Sequence, residues 1–255
     1  MKPLLLAAIA SVFTFQPACA TEPLRVAAAA DLRYALSEVR EAFVKAHPGT
    51  ELELIFGSSG KLAAQIENGA PFDLFFSADI DFALRLAARG LTVRGPVPYA
   101  RGRIVLWWPG RDASRLTLAA LVGERFRKVA IANPRHAPYG QRAEQVLRKA
   151  GVLAAVQPKL VLGENVSHAA QLVESGAADA GLIAYSLALG RELTAAGSFV
   201  LVPEELHEPL DQAYCVLKRA ASDPRAGELA DFCQGERARG ILRTFGFVLP
   251  GERQP

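Results

Sequence analysis

Residues 56–79 read FGSSGKLAAQIENGAPFDLFFSAD. The apolar run ELELIF leads into this stretch as a strand. A Gly-Ser-Ser-Gly turn then opens a short helix, GKLAAQIENG, which Gly69 closes, and FDLFFSA follows as the next strand. Strand, helix and strand in such tight succession imply parallel pairing through a right-handed crossover, and so an α/β fold. The turn also sets two hydroxyls beside the unpaired amides of a helix N-terminus, where anions are favoured. Simple N-capping by Ser58 or Ser59 would account for the same residues. A nucleotide phosphate loop is excluded by spacing. That motif needs Gly, four residues, then Gly-Lys-Ser/Thr, whereas Ile55 stands five before Gly60 and Leu62 follows Lys61.

The same alternation extends in both directions. LRVAAAA reads as a first strand. The helix after it carries Leu32, Ala35, Leu36, Val39 and Phe43 on one face and ends at His47-Pro48-Gly49. Asp79 or Asp81 caps FALRLAARG. LTVRGPVPYARGR, with two prolines and two glycines, reads as a break, and IVLWWPG starts a new unit. That unit continues through a helix near residues 116–121, the strand KVAIAN, the helix YGQRAEQVLRKAG, the strand KLVLG, the helix SHAAQLVESG and the strand AGLIAY. FVLVP and AYCVLKR read as late strands before a helical C-terminus. Two α/β lobes of about a hundred residues each fit this pattern better than one large sheet. The expected division is a first lobe over 21–100, a second over 101–209, and a crossover strand with a return to the first lobe over 210–255. Ligands in such sheets sit at the carboxyl ends of strands, here in a cleft between lobes.

Before this unit stands MKPLLLAAIASVFTFQPACA. One lysine, an apolar run and Ala18-Cys19-Ala20 read as a secretory signal peptide cleaved after Ala20, which places the mature chain outside the cytoplasm. Acylation of Cys19 is disfavoured by Gln16 three residues earlier. Loss of Lys2 takes the formal charge from +3 to +2. The basic residues are scattered, without the aromatic interleaving that would suggest nucleic acid. Cys215 and Cys233 are an even pair in an exported chain and hence a candidate disulfide, the alternative being two buried thiols. The four histidines lack metal-ligand spacing. The serine-rich turn is not a Gly-x-Ser-x-Gly elbow, so a hydrolase using Ser59 is disfavoured, and no cofactor motif is present.

Five strand-to-helix junctions would face the cleft: AAAADL (27–32), FGSSGK (56–61), NPRHAPYGQ (133–141), GENVSH (163–168) and IAYS (183–186). Their residues are small, hydroxylic or amide-bearing, and few are cationic. Lys61 lies one residue inside its helix and should point away. Fixed neutral N–H and O–H dipoles suit a fully ionised oxyanion, so the lack of basic residues does not argue against one.

VAAAADL, the run FGSSGKLAAQIENGAPFDLFFSAD, NPRHAPYGQRA and GLIAYS resemble the periplasmic molybdate-binding proteins of ABC transporters, the ModA family, over essentially the whole mature chain. The resemblance implies a two-lobed periplasmic binding protein fold (type II-like), each lobe a mostly parallel sheet flanked by helices. It implies a monomer that binds molybdate, with tungstate as a near-equal, for a membrane permease, and no enzymatic activity. Sulfate or another tetrahedral oxyanion is the alternative ligand. Carried over by position, the contacts fall at Ala30 and Asp31 in the first turn, Ser59 with Ser58 in the second, the amides of Tyr139 and Val166, and the hydroxyl of Tyr185. Molybdenum would be held only as the oxyanion. Asp31 departs from the family's usual Ser. Its preferred reading is an N-cap with the carboxylate turned from the ion. The sharper alternatives are an acceptor for a cross-cleft hydroxyl from Tyr185 or Tyr139, or a protonated carboxyl that donates to the ion.

Overall fold

The computed structural model describes residues 22–110 and 112–252. The signal-peptide reading therefore lies outside the described residues. Among the described residues, ten strands form two five-stranded sheets. They are β1 Leu24–Ala29, β2 Leu52–Gly57, β3 Leu74–Ser77, β4 Thr92–Gly102, β5 Ile104–Pro109, β6 Val129–Ala132, β7 Leu160–Gly163, β8 Ala180–Ala184, β9 Gly197–Leu201 and β10 Leu210–Leu217. The helices are α1 Arg33–Ala46, α2 Ser59–Glu67, α3 Ile80–Ala88, α4 Pro138–Lys149, α5 Leu153–Val156, α6 Val166–Glu174, α7 Tyr185–Ala188, α8 Arg191–Ala196, α9 Pro224–Gln234 and α10 Glu236–Thr244.

The first sheet has the order β2-β1-β3-β10-β4 and the second β7-β6-β8-β5-β9. Each holds four strands of one direction and one opposed strand, β10 in the first and β5 in the second. Both opposed strands are the ones by which the chain enters a lobe from the other. The crossings lie between β4 and β5 and between β9 and β10. Each lobe is thus a mostly parallel α/β layer structure, as the alternating pattern implied.

LTVRGPVPYARGR is not a break. Most of it is β4, eleven residues long and paired with β10 through several register shifts. Its two prolines are tolerated because β4 is the edge strand, where half the amides have no ladder partner to lose.

Strand alternation divides the first lobe's core in two. Val26, Ala28, Phe76, Tyr214 and Val216 face α1, α9 and α10. Ala27, Phe75, Ala213, Cys215 and Leu217 face α2 and α3. The C-terminal helices therefore cover the first lobe. Phe43 of α1 is fully buried and stacks edge-on with Phe232 of α9 at 5.4 Å. Truncating such a ring to Ala costs about 3–5 kcal/mol.

This division also overturns the candidate disulfide. Cys215 and Cys233 are free, buried thiols. Cys215 belongs to the α2/α3 face and Cys233 to the α9 face, so the sheet itself stands between them.

Candidate anion-binding site

Strand register levels the ends of β1 and β2, since Ala29 pairs with Gly57. Ala30–Asp31 and Ser58–Ser59 consequently emerge side by side. In the second lobe Ala132 pairs with Gly163, so the turns before α4 and α6 also emerge together. The four turns meet around one cavity lined by Ala30, Asp31, Ser58, Ser59, Tyr139 and Val166, together with Asn165 and neighbouring small residues. It encloses about 190 Å³ of empty space with its open mouth included. No lysine or arginine is among its lining residues.

The donors are held from behind. Ser59 is the first residue of α2, and its Oγ accepts from the amide of Ala78 at 2.9 Å, which leaves the hydroxyl proton free to donate. Ser58 does not cap α2 through its side chain; its Oγ bonds His136 Nδ1 across the cleft at 2.8 Å. Tyr139 and Val166 stand in the first turns of α4 and α6, where backbone amides have no intrahelical acceptor. Asn165 caps α6 by accepting from the amide of His168. Gly140 is required behind Tyr139, because a Cβ there would lie 2.1 Å from the carbonyl oxygen of Ala132.

Asp31 departs from its preferred reading. It lies inside a one-turn 3-10 segment, Ala30–Leu32, and makes no side-chain cap bond. Its carboxylate is fully buried and bridges the lobes. Oδ2 accepts from Tyr139 Oη at 3.0 Å and from Gln212 Nε2 at 2.7 Å. The cross-cleft hydroxyl is therefore that of Tyr139. Oδ1 makes no hydrogen bond. Burial pushes the Asp31 pKa up to about 6, against the pull of Gln212, Tyr139 and the nearby amides of Asp31 and Leu32. Gln212 is itself fixed, its Oε1 accepting from Tyr99 Oη.

Tyr185 is not brought to the cavity. Its ring lies beneath the Arg103 guanidinium, 4.6 Å from Cζ to the ring centroid, and edge-on to Phe199 at 5.3 Å. The next residue reaches the first turn instead, Ser186 Oγ donating to the carbonyl of Asp31 at 2.8 Å. Successive helical residues diverge by about 100° around the axis, so Tyr185 and Ser186 cannot both point there.

Further contacts clamp the rim. Lys61 Nζ pairs with Glu164 at 2.9 Å and is not among the residues lining the cavity. Arg142 Nη2 pairs with Asp79 at 3.1 Å and also reaches the carbonyl of Pro209, next to the crossing into β10. Sequence reasoning did not find Gln212, Asn165, Arg142 or the latch role of His136. The signal for Gln212 was a polar residue inside the buried run LDQAYCVL. Nothing local marks the others.

A family model described as bacterial extracellular solute-binding protein matches residues 24–248. The molybdate-binding protein ModA of Rhodobacter capsulatus is 36% identical over 234 residues, covering 91% of this chain and 90% of that protein. ModA of Azotobacter vinelandii is 34% identical, covering 91% and 93%. The solved structure of the Azotobacter vinelandii periplasmic molybdate-binding protein superimposes with a TM-score of 0.81, covering 89% of this chain and 99% of that one. These are binding proteins and not enzymes. With its two mostly parallel lobes and a cavity of amides and hydroxyls between them, this chain belongs to the extracellular solute-binding proteins and, among them, to the ModA family.

Proposed function

We propose that this protein captures molybdate, with tungstate as a near-equal, outside the cytoplasm and hands it as a monomer to an ABC-type permease. The observation that carries the reading is the convergence of six residues from both lobes on one small cavity without a cationic lining. The amides of Tyr139 and Val166 and the hydroxyl of Ser59 are the donors, with the Ala30–Asp31 turn completing the shell. Tyr185 is left out of this set. The hydrolase alternative is weakened by the same geometry, since Ser59 Oγ accepts from a backbone amide and His136 meets Ser58 instead.

Titration calorimetry of the mature protein against molybdate, tungstate, sulfate and phosphate tests the proposal. Binding of molybdate and tungstate well above sulfate is expected. Tighter binding of sulfate would replace the ligand while leaving the anion site in place.

A further inference from the structure

Asp31 puts a carboxyl group into the lining of the cavity proposed for a dianion, and no lysine or arginine lines that cavity. Oδ2 is committed twice, to Tyr139 Oη and to Gln212 Nε2, and Tyr99 behind Gln212 fixes which amide atom faces the carboxylate. Both of those contacts donate to Oδ2, so a proton on Asp31 that leaves them intact goes to the other oxygen. That atom is Oδ1, which is buried, makes no hydrogen bond of good geometry although the amides of Asp31 and Leu32 lie near the carboxylate, and belongs to a residue lining the cavity. The groups packed around it offer no compensating charge. Tyr139 and Tyr99 are held neutral, their pKa values raised well above 10.0 by burial first and by Asp31 next. Ser58 before α2, Ser59 of α2, Val166 from α6 and Ser186 from α7 are neutral. Lys61 and Arg142 are engaged by Glu164 and Asp79 at the rim. His136 is held below its ordinary 6.5 by burial and then by Lys61.

We propose that Asp31 binds the oxyanion as a neutral carboxylic acid that donates from Oδ1, so that each capture consumes one proton. This rests on the oxyanion reading above and deepens it. The balance is simple: a solvent proton joins the Asp31 carboxylate as the dianion enters, and no bond of the ion is made or broken. The consequence is selectivity. An acid at this position is a donor and suits ions that arrive fully deprotonated, as molybdate and tungstate do at neutral pH. An ionised Asp31 would be an acceptor and would favour an ion carrying its own proton, as hydrogen phosphate does. The free group titrates near 6 in the closed arrangement. A bound dianion beside it raises that further, because like charge disfavours the ionised form.

The test is calorimetry of the mature protein with molybdate at pH 7.5 in two buffers of different ionisation enthalpy, with affinities followed from about pH 6.5 to about pH 8.5. Wild type should take up about one proton per ion and lose affinity about tenfold per pH unit. Asp31→Asn, which offers a fixed N–H donor, should bind without proton uptake and without the loss of affinity as pH rises, His136 leaving at most a release of the opposite sign at the acid end. Molybdate binding by wild type without proton uptake overturns this inference and leaves the proposed function standing. So does the same loss of affinity with rising pH in Asp31→Asn. Preference for phosphate over molybdate without uptake shows an ionised Asp31 and overturns both, as does the absence of any molybdate binding.

Discussion

The amide of Gly60 donates to the carbonyl of His136 at 3.0 Å, a backbone bond between the first turn of α2 in one lobe and the turn before α4 in the other. The two backbones approach so closely that a Cβ on Gly60 would lie 2.6 Å from that carbonyl oxygen. The φ of Gly60 is not in the left-handed region, so the glycine serves the approach and not the turn.

Gly60→Ala should therefore separate closure from folding. Alanine favours the helix within its own lobe, by roughly 1 kcal/mol over glycine. Closing the lobes would require the carbonyl to retreat. Molybdate affinity should fall at least about tenfold, or about 1.4 kcal/mol, while the ligand-free unfolding midpoint holds or rises. Unchanged affinity would mean that the lobes do not need this approach.

Ser59→Ala removes a hydroxyl that both accepts from Ala78 and can donate to the ion. Affinity should weaken by about 1.5–3 kcal/mol, the usual range for a bond to a charged group. Orphaning the buried Ala78 amide should also lower ligand-free stability by about 1–3 kcal/mol. A stability loss with no change in the dissociation constant would reduce Ser59 to a structural strut.

The thiols give a third expectation. Burial pushes Cys215 and Cys233 each up to about 12, so neither supplies thiolate near neutral pH. A thiol reagent should leave both unmodified in the native protein and find both after denaturation. Reductant should not move the unfolding midpoint. A reductant-sensitive midpoint in the mature protein would contradict the placement of the two residues on opposite faces of the first sheet.

The order of strands and helices was legible because period-2 and period-3.6 runs alternate without long gaps, and their junctions named most of the cavity. What was missed depends on distance in the chain or on phase. Pairing with β10 makes β4 a strand despite its prolines, and that partner lies more than a hundred residues away. At the start of α7, sequence alone does not decide whether Tyr185 or Ser186 turns inward. Asp31 reads as a cap because Asp usually caps. Its actual partners, Tyr139 and Gln212, come from α4 and β10, 108 and 181 residues on.

Asp31 also makes closure of the empty protein depend on pH. An acid whose ordinary value is 3.8 and whose closed-state value is about 6 holds its proton more tightly when the lobes are shut. Closing then takes up a proton between those two values, so this contribution is fully present below about 4 and is lost as pH rises through about 6. A gap of about two units corresponds to about 3 kcal/mol if Asp31 is fully hydrated when open. His136 acts in the opposite sense. Its value is lowered in the closed form by burial and by Lys61, so acid favours opening through it. The two are separated by Asp31→Asn, which keeps only the histidine's contribution. Small-angle scattering of the ligand-free mature protein should show wild type more compact at pH 5 than at pH 8. Asp31→Asn should be no more compact at pH 5 than at pH 8. If wild type keeps one radius of gyration at both pH values, or if Asp31→Asn contracts on acidification as wild type does, the carboxyl of Asp31 is not what couples the proton to the hinge.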